Sequence, residues 1–302
     1  MKKRFLRWGI LLLSSMHFLG ATAFAYSQIV AFGDSLSDNG NADGYGFSVS
    51  SNGPVWVDYL AEDLDVELLD MAYGGARTYG HPASKPGDGS SPTGYEYGLT
   101  WQIDSYLDAY TADEDALYTL WIGGNDLLNL DGDSPLNVIT NAAMNIGSAI
   151  GSLYGAGARN VVLMNMPNLG ATPLMNGLNG MYNMPSEGAY LSMGFNAALL
   201  ETGTLLEMLF PELNLFSIDM FALMNEFMAS GLFDNSTNML SAAGPTDESY
   251  LFWDPIHPTT YAHSLISDEV ARTVAPVPEP ATMLLFGTGL ALLSGFRKKS
   301  RK

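Results

Sequence analysis

"AFGDSLSDNGN", residues Ala31–Asn41, sets one serine just after the apolar run Ile29-Val30-Ala31-Phe32 and follows it with small polar residues. A serine at the end of a strand can be a turn residue whose hydroxyl competes for nearby backbone groups. It can equally be a nucleophile, held where a chain reversal leaves its Oγ exposed. The stretch alone leaves both readings open, and the rest of the chain has to decide.

Working outward, short β-branched or apolar runs recur at Gln28–Phe32, Val66–Met71, Leu117–Ile122, Asn160–Asn165 and Leu213–Ile218. Helical patterns lie between them. Asn52 and Pro54 open "PVWVDYLAEDL", Ser134 and Pro135 open "PLNVITNAAMNIGSAIGSLY", and Ser186 precedes "GAYLSMGFNAALLETGTLLEMLF". This alternation predicts an α/β fold, a three-layer α/β/α sandwich around a mainly parallel five-stranded sheet.

Both ends of the chain read as separate from that fold. Residues 1–25 carry Lys2, Lys3, Arg4 and Arg7, an apolar stretch from Trp8 to Leu19, and Ala23-Phe24-Ala25, the layout of a secretory signal peptide. The expected domain therefore runs over 26–275. Residues 276–302 contain Pro278-Glu279-Pro280, an apolar run Ala281–Phe296 and a basic finish, Arg297, Lys298, Lys299, Arg301 and Lys302. Sixteen residues at ~1.5 Å each give roughly 24 Å, a marginal membrane helix whose basic end would stay cytoplasmic. The layout resembles the PEP-CTERM sorting tail of Gram-negative bacteria. That resemblance implies export by Sec-type machinery, transient inner-membrane anchoring, removal of the tail by an exosortase, and delivery to periplasm, cell surface or extracellular matrix. A permanent tail anchor is the alternative.

Removing the ends exposes the charge of the body. Of 32 Asp and Glu only Glu279 lies outside it, so 31 carboxylates face four cations, Arg77, Lys85, Arg159 and Arg272, a formal charge of −27. Such a field repels phosphate backbones and anionic lipid surfaces, which excludes nucleic acid as a partner. With no cysteine there is no disulfide, zinc thiolate or cysteine nucleophile. "TADEDA" and "NLDGDSP" lack the spacing of a dedicated calcium loop and read as solvated charge, and no metal or cofactor is implied.

Open parallel sheets bind ligands beyond the carboxyl ends of their strands. Four unusual segments fall there: Gly33-Asp34-Ser35-Leu36, "AYGGART" (Ala72–Thr78), Gly123-Gly124-Asn125-Asp126, and "FWDPIHPTTYAH" before the last helix. Ser35 needs a base to take its proton, and the body has three histidines, His81, His257 and His263. His81 sits in a Pro/Gly/Ser loop, and His263 inside the terminal helix. Asp254 stands three residues before His257 across a proline-containing turn, with Pro258 placed to start the helix. That spacing lets the carboxylate accept the Nδ1 proton and leaves Nε2 for a hydroxyl. Acyl transfer also needs donors for the developing oxyanion, and the Ser35 amide, a glycine amide from Gly74-Gly75 and the Asn125 side chain are available. Each has a plainer reading as a turn or a loop cap.

"FGDSLSDNGN", "GGA", "GGND" and "DPIHP", in this order, resemble blocks I, II, III and V of the GDSL hydrolases, also called the SGNH family. "NMPNLGATP" is similar to a further family segment after the fourth strand. The likeness runs from Ile29 to about Val274 and is nearest to exported lipase/lecithinase-like esterases. It implies the flavodoxin-like SGNH fold, with Ser35 as nucleophile, His257 as base and Asp254 as its orienter. It also implies Ser35, Gly75 and Asn125 as the oxyanion hole, Gly75 being preferred to Gly74. No G-x-S-x-G, H-E-x-x-H or P-loop pattern competes. The expected activity is hydrolysis of lipid or short acyl esters. Deacetylation of exopolysaccharide and a non-catalytic sugar-binding role in a surface matrix are the alternatives. "LMNGLNGMYNMP" (Leu174–Pro185) reads either as a flap over an acyl chain or as core packing, and "GYGFSVSSNG" and "GYEYGLTW" as the mouth of the site or as loop closures.

Overall fold

Five strands pair side by side, all parallel, in the order β2-β1-β3-β4-β5. They are β1 (Gln28–Gly33), β2 (Glu67–Asp70), β3 (Leu117–Trp121), β4 (Asn160–Met164) and β5 (Asn214–Ile218). The computed structural model describes residues 26–42, 49–80, 97–177, 184–240 and 249–275. The leader 1–25, the tail 276–302 and His81 lie outside the described residues.

Side chains alternate across a strand, and that alternation sorts the core into two halves. Val30, Phe32, Tyr118, Leu120, Val161 and Leu163 face one side, where α2 (Leu99–Ala109), α4 (Pro135–Ala156) and α5 (Pro185–Leu209) cover them. Ile29, Ala31, Leu117, Trp121, Val162 and Met164 face the other, under α1 (Trp56–Leu64), α6 (Met220–Ala229) and α7 (Thr260–Val274). The result is the three-layer α/β/α sandwich. Strands buried on both faces explain why each central one is a nearly unbroken apolar run.

Helix starts depart from the sequence reading in three places. Asn52 and Pro54 do not open α1, whose N-cap is Val55, with its amide donating to Asp58 at 2.9 Å. Asn52 instead accepts the Thr260 amide at 2.8 Å, so it caps α7 across 208 positions of chain. Pro258 does not start α7 either: Thr259 is the N-cap, its hydroxyl accepting from the Ala262 amide at 3.3 Å. Ser186 lies within the first turn of α5, which begins at Pro185. The Ser134–Pro135 start of α4 matches, the Ser134 hydroxyl accepting the Asn137 amide at 3.2 Å.

Unanticipated elements are α2, α6, a short α3 (Gly124–Leu128) and a small parallel pair, β6 (Asn235–Met239) with β7 (Tyr250–Phe252). Both α6 and α3 border the site.

Candidate active site

Strand order reverses between β1 and β3, and the crevice beyond their carboxyl ends is where this topology takes a ligand. Ser35 sits in the turn leaving β1. The Asp34 carbonyl accepts the amides of Ser37 and Asp38, both at 3.0 Å, and the Asp34 carboxylate accepts the Leu36 amide at 3.1 Å. Just before the turn, fully buried Gln102 grips the Gly33 peptide from both sides. Its Oε1 accepts the Gly33 amide at 3.0 Å and its Nε2 donates to the Gly33 carbonyl at 2.8 Å. Gly33 is required because a Cβ there would lie 2.6 Å from the Trp121 carbonyl oxygen.

Two hundred and twenty-two positions later, the turn after β7 brings His257 to this serine. Ser35 Oγ and His257 Nε2 are 2.7 Å apart, and His257 Nδ1 and Asp254 Oδ2 are 2.6 Å apart. The other oxygen of Asp254 accepts the amides of Ile256 at 2.9 Å and His257 at 2.8 Å, so one carboxylate shapes the turn and orients the ring. Burial works to raise the Asp254 pKa, but the hydrogen bond and charge of His257, with those two amides, hold it below the usual carboxylate range. Leu174 donates its amide to the Pro255 carbonyl at 2.9 Å, and Ser51 its hydroxyl to Pro258 at 3.2 Å. The described parts of the "LMNGLNGMYNMP" and "GYGFSVSSNG" segments thus brace the histidine turn. Residues 178–183 and 43–48 lie outside the described residues, as do residues 94–96 of "GYEYGLTW".

Asn125 lies in the first turn of α3 and lines the same cleft as Ser35 and His257. One of its amide hydrogens goes to the Ala76 carbonyl at 2.9 Å, and a primary amide carries two. Gly75 lies in the turn between β2 and α2. It sits next to Ala76 with φ of 78°, a left-handed conformation suited to glycine. Its neighbour Gly74 donates its amide to Asp38 at 2.6 Å, so Gly74 has no free amide to offer a ligand. Asp38, 4% exposed, also accepts the Gly40 amide at 2.9 Å and the Asn41 amide at 2.7 Å. It therefore ties the serine loop to the glycine turn. Asp126 does the same for the next pair of loops, accepting the Thr78 amide at 3.0 Å and hydroxyl at 2.7 Å. Neither Gln102 nor Asp38 was singled out from sequence. Asp38 lay in plain sight within "SDNGN", whereas nothing local marks Gln102.

Asp34 is 2% exposed, and burial pushes its pKa up to about 7 despite the Leu36 amide. Because the folded value lies above the unfolded 3.8, the fold binds more protons, and Asp34's contribution is complete below pH 4 and lost as pH rises through 7. Buried His263 runs oppositely. Its pKa is lowered to about 3 by burial, so the unfolded chain takes up its proton between pH 6.5 and 3 and stability falls with acid there. Asp34→Asn is expected to lose less melting temperature than the parent between pH 5 and 8. A parallel pair of melting curves over that range would contradict it.

The family model for GDSL-like Lipase/Acylhydrolase matches residues 29–270, and the PEP-CTERM protein-sorting motif matches residues 276–299. The chain belongs to the GDSL-like lipase/acylhydrolase family. The motif marks an exported protein with a C-terminal sorting tail. "Lipase 1" of Photorhabdus luminescens is 32% identical over 161 residues, 51% of this chain and 24% of that protein. "Thermolabile hemolysin" of Vibrio parahaemolyticus serotype O3:K6 is 27% identical over 283 residues, 82% of this chain and 63% of that protein. The matched region therefore spans less than two thirds of either relative. Among solved structures, an acetyl xylan esterase, AlAXEase, aligns with a TM-score of 0.48 at 14% identity, covering 82% of this chain and 99% of that one.

Proposed function

We propose that the protein is a serine esterase that hydrolyses carboxylic ester bonds of lipid or short acyl esters through an acyl-enzyme. The observation carrying this reading is the Ser35–His257–Asp254 relay, with contacts of 2.7 and 2.6 Å, opening on an apolar cleft. In the forward half-reaction His257 Nε2 takes the Ser35 proton as Oγ bonds to the ester carbon. Asp254 stabilises the imidazolium that results. The proton then passes to the leaving alkoxide as the C–O bond breaks. Water repeats the sequence on the acyl-serine, and the acid is released. The amides of Ser35 and Gly75 and the Asn125 side chain serve as the oxyanion donors.

Asn125→Ala is expected to lower kcat about 10²–10³-fold with little change in KM, because the donor acts on charge that develops only in the transition state. A loss confined to KM would remove Asn125 from that role.

The domain 26–275 works after export in this reading, with the leader 1–25 removed and an exosortase acting on the tail 276–302. The sorting motif supports the export half of it. An organophosphonate on the folded protein tests the chemistry: Ser35 should be labelled alone. Absence of label would favour the non-catalytic sugar-binding alternative. Turnover of acetylated glycan in preference to all longer acyl esters would favour the deacetylase.

A further inference from the structure

We infer that α6 is the chain-length gauge of the site, with Met224 as the end wall against which the acyl chain of the substrate stops. The inference rests on the esterase reading above. Beside Ser35 and His257 lies a narrow slot of about 40 Å³. Its deepest lining is apolar and buried: Trp121 and Met166 are each 1% exposed, Phe252 2% and Met224 4%. Leu36 and Met228 are partly exposed and mark the rim.

The lining is apolar but for a few polar atoms, among them Trp121 Nε1 and Asn168 Oδ1, which have no hydrogen-bond partner among the described residues, and Thr172, whose hydroxyl donates to the Leu169 carbonyl at 2.6 Å; that is too few for the many hydroxyls of a sugar ring. An acyl chain has the right chemistry for the slot, which leaves the alcohol part of the ester toward solvent.

The wall is also fixed in place. Asn165 at the end of β4 accepts the Phe221 amide at 3.1 Å and donates to Asp219 at 3.0 Å, and Asp219 caps α6 by accepting the Ala222 amide at 3.1 Å. Asn168 reaches Asn225 on the same helix at 3.5 Å. Met224 and Met228, four residues apart, share one face of α6, Met224 buried and Met228 partly exposed. Their unbranched thioethers suit a flexible chain. A rigid helix carrying soft side chains sets a definite but adjustable length.

Each methylene buried along this wall should raise kcat/KM about fourfold, the ~0.8 kcal/mol of one CH₂ converted at 1.36 kcal/mol per tenfold. The climb should stop when the chain meets Met224. The test is a p-nitrophenyl ester series from acetate to laurate on the parent, Met224→Ala, Met224→Phe and Met228→Phe. The break is expected at longer chains for Met224→Ala and at shorter chains for Met224→Phe, with Met224→Leu keeping the parental profile. Met228→Phe, at the rim, reports the same shift should Met224→Phe fail to fold. If every variant scales all chain lengths by one common factor, Met224 is only structural. If the parent is fastest on acetate and declines from there, the slot does not take acyl chains, even though phosphonate still labels Ser35. A protein whose Ser35 resists the phosphonate would instead overturn the esterase reading itself.

Discussion

Ser35→Ala should remove turnover on the order of 10⁴-fold or more and leave the melting temperature within about 2 °C of the parent. The large kinetic term follows from the proposed roles: without Oγ there is no acyl-serine, and the relay behind it has nothing to act on. The small thermal term follows from the environment. Ser35 is partly exposed, and its hydroxyl is bonded to His257 across the cleft. Substitutions of that kind usually change stability by no more than ~0.5 kcal/mol, and a domain of this size shifts by roughly 2–4 °C per kcal/mol. The turn itself is held by Asp34, Gln102 and Ser37, none of which is touched. Kinetics and calorimetry on the same preparation separate the two. Full activity would end the proposal, and a melting temperature lower by ten degrees would make Ser35 a structural residue.

Asp254→Asn should cost about 10⁴ in kcat at neutral pH while preserving the turn. The amide oxygen of an asparagine can still accept from Ile256 and His257, so the backbone geometry survives. Its NH₂ cannot accept the Nδ1 proton. The ring is then driven to the tautomer that carries hydrogen on Nε2, which faces Ser35 as a donor and cannot serve as its base. Because Asp254 is held below the ordinary carboxylate range, it stays an acceptor in mild acid, and its own protonation does not set an activity limit near pH 5. A variant within tenfold of the parent would show that His257 needs no orienter. Met224 and Asn125 probe binding and charge; these two substitutions probe the relay.

How much of this was legible in the sequence depends on distance along the chain. The five strands announce themselves because burial on both faces demands unbroken apolar runs, as in Ile29–Phe32 and Val161–Met164. Ser35, Asp254, His257 and Asn125 stood out because each follows a strand or turn in a short motif, and the fold draws Ser35 and His257 together with Asn125 in the same cleft. Gly75 lies on the turn that Asp38 secures, beside the Ala76 carbonyl that Asn125 holds. What stayed hidden is tertiary. Asn52 looks like a local helix cap and caps a different helix. Gln102 looks like any polar residue on an amphipathic helix, and only the position of β1 gives it Gly33 to hold. The helix α6 is apolar enough to pass for core, and its second role appears only once β4 and β7 have built the rest of the slot.

Ser35 and His257, the proposed nucleophile and base, arrive at opposite ends of synthesis. A ribosome-bound or partly threaded polypeptide that has displayed Ser35 but not yet delivered His257 carries an ordinary, inert hydroxyl. Reactivity switches on only when the final strand and helix close against the first. On the esterase reading, hydrolysis would have to wait until Asp254 and His257 are in place against Ser35.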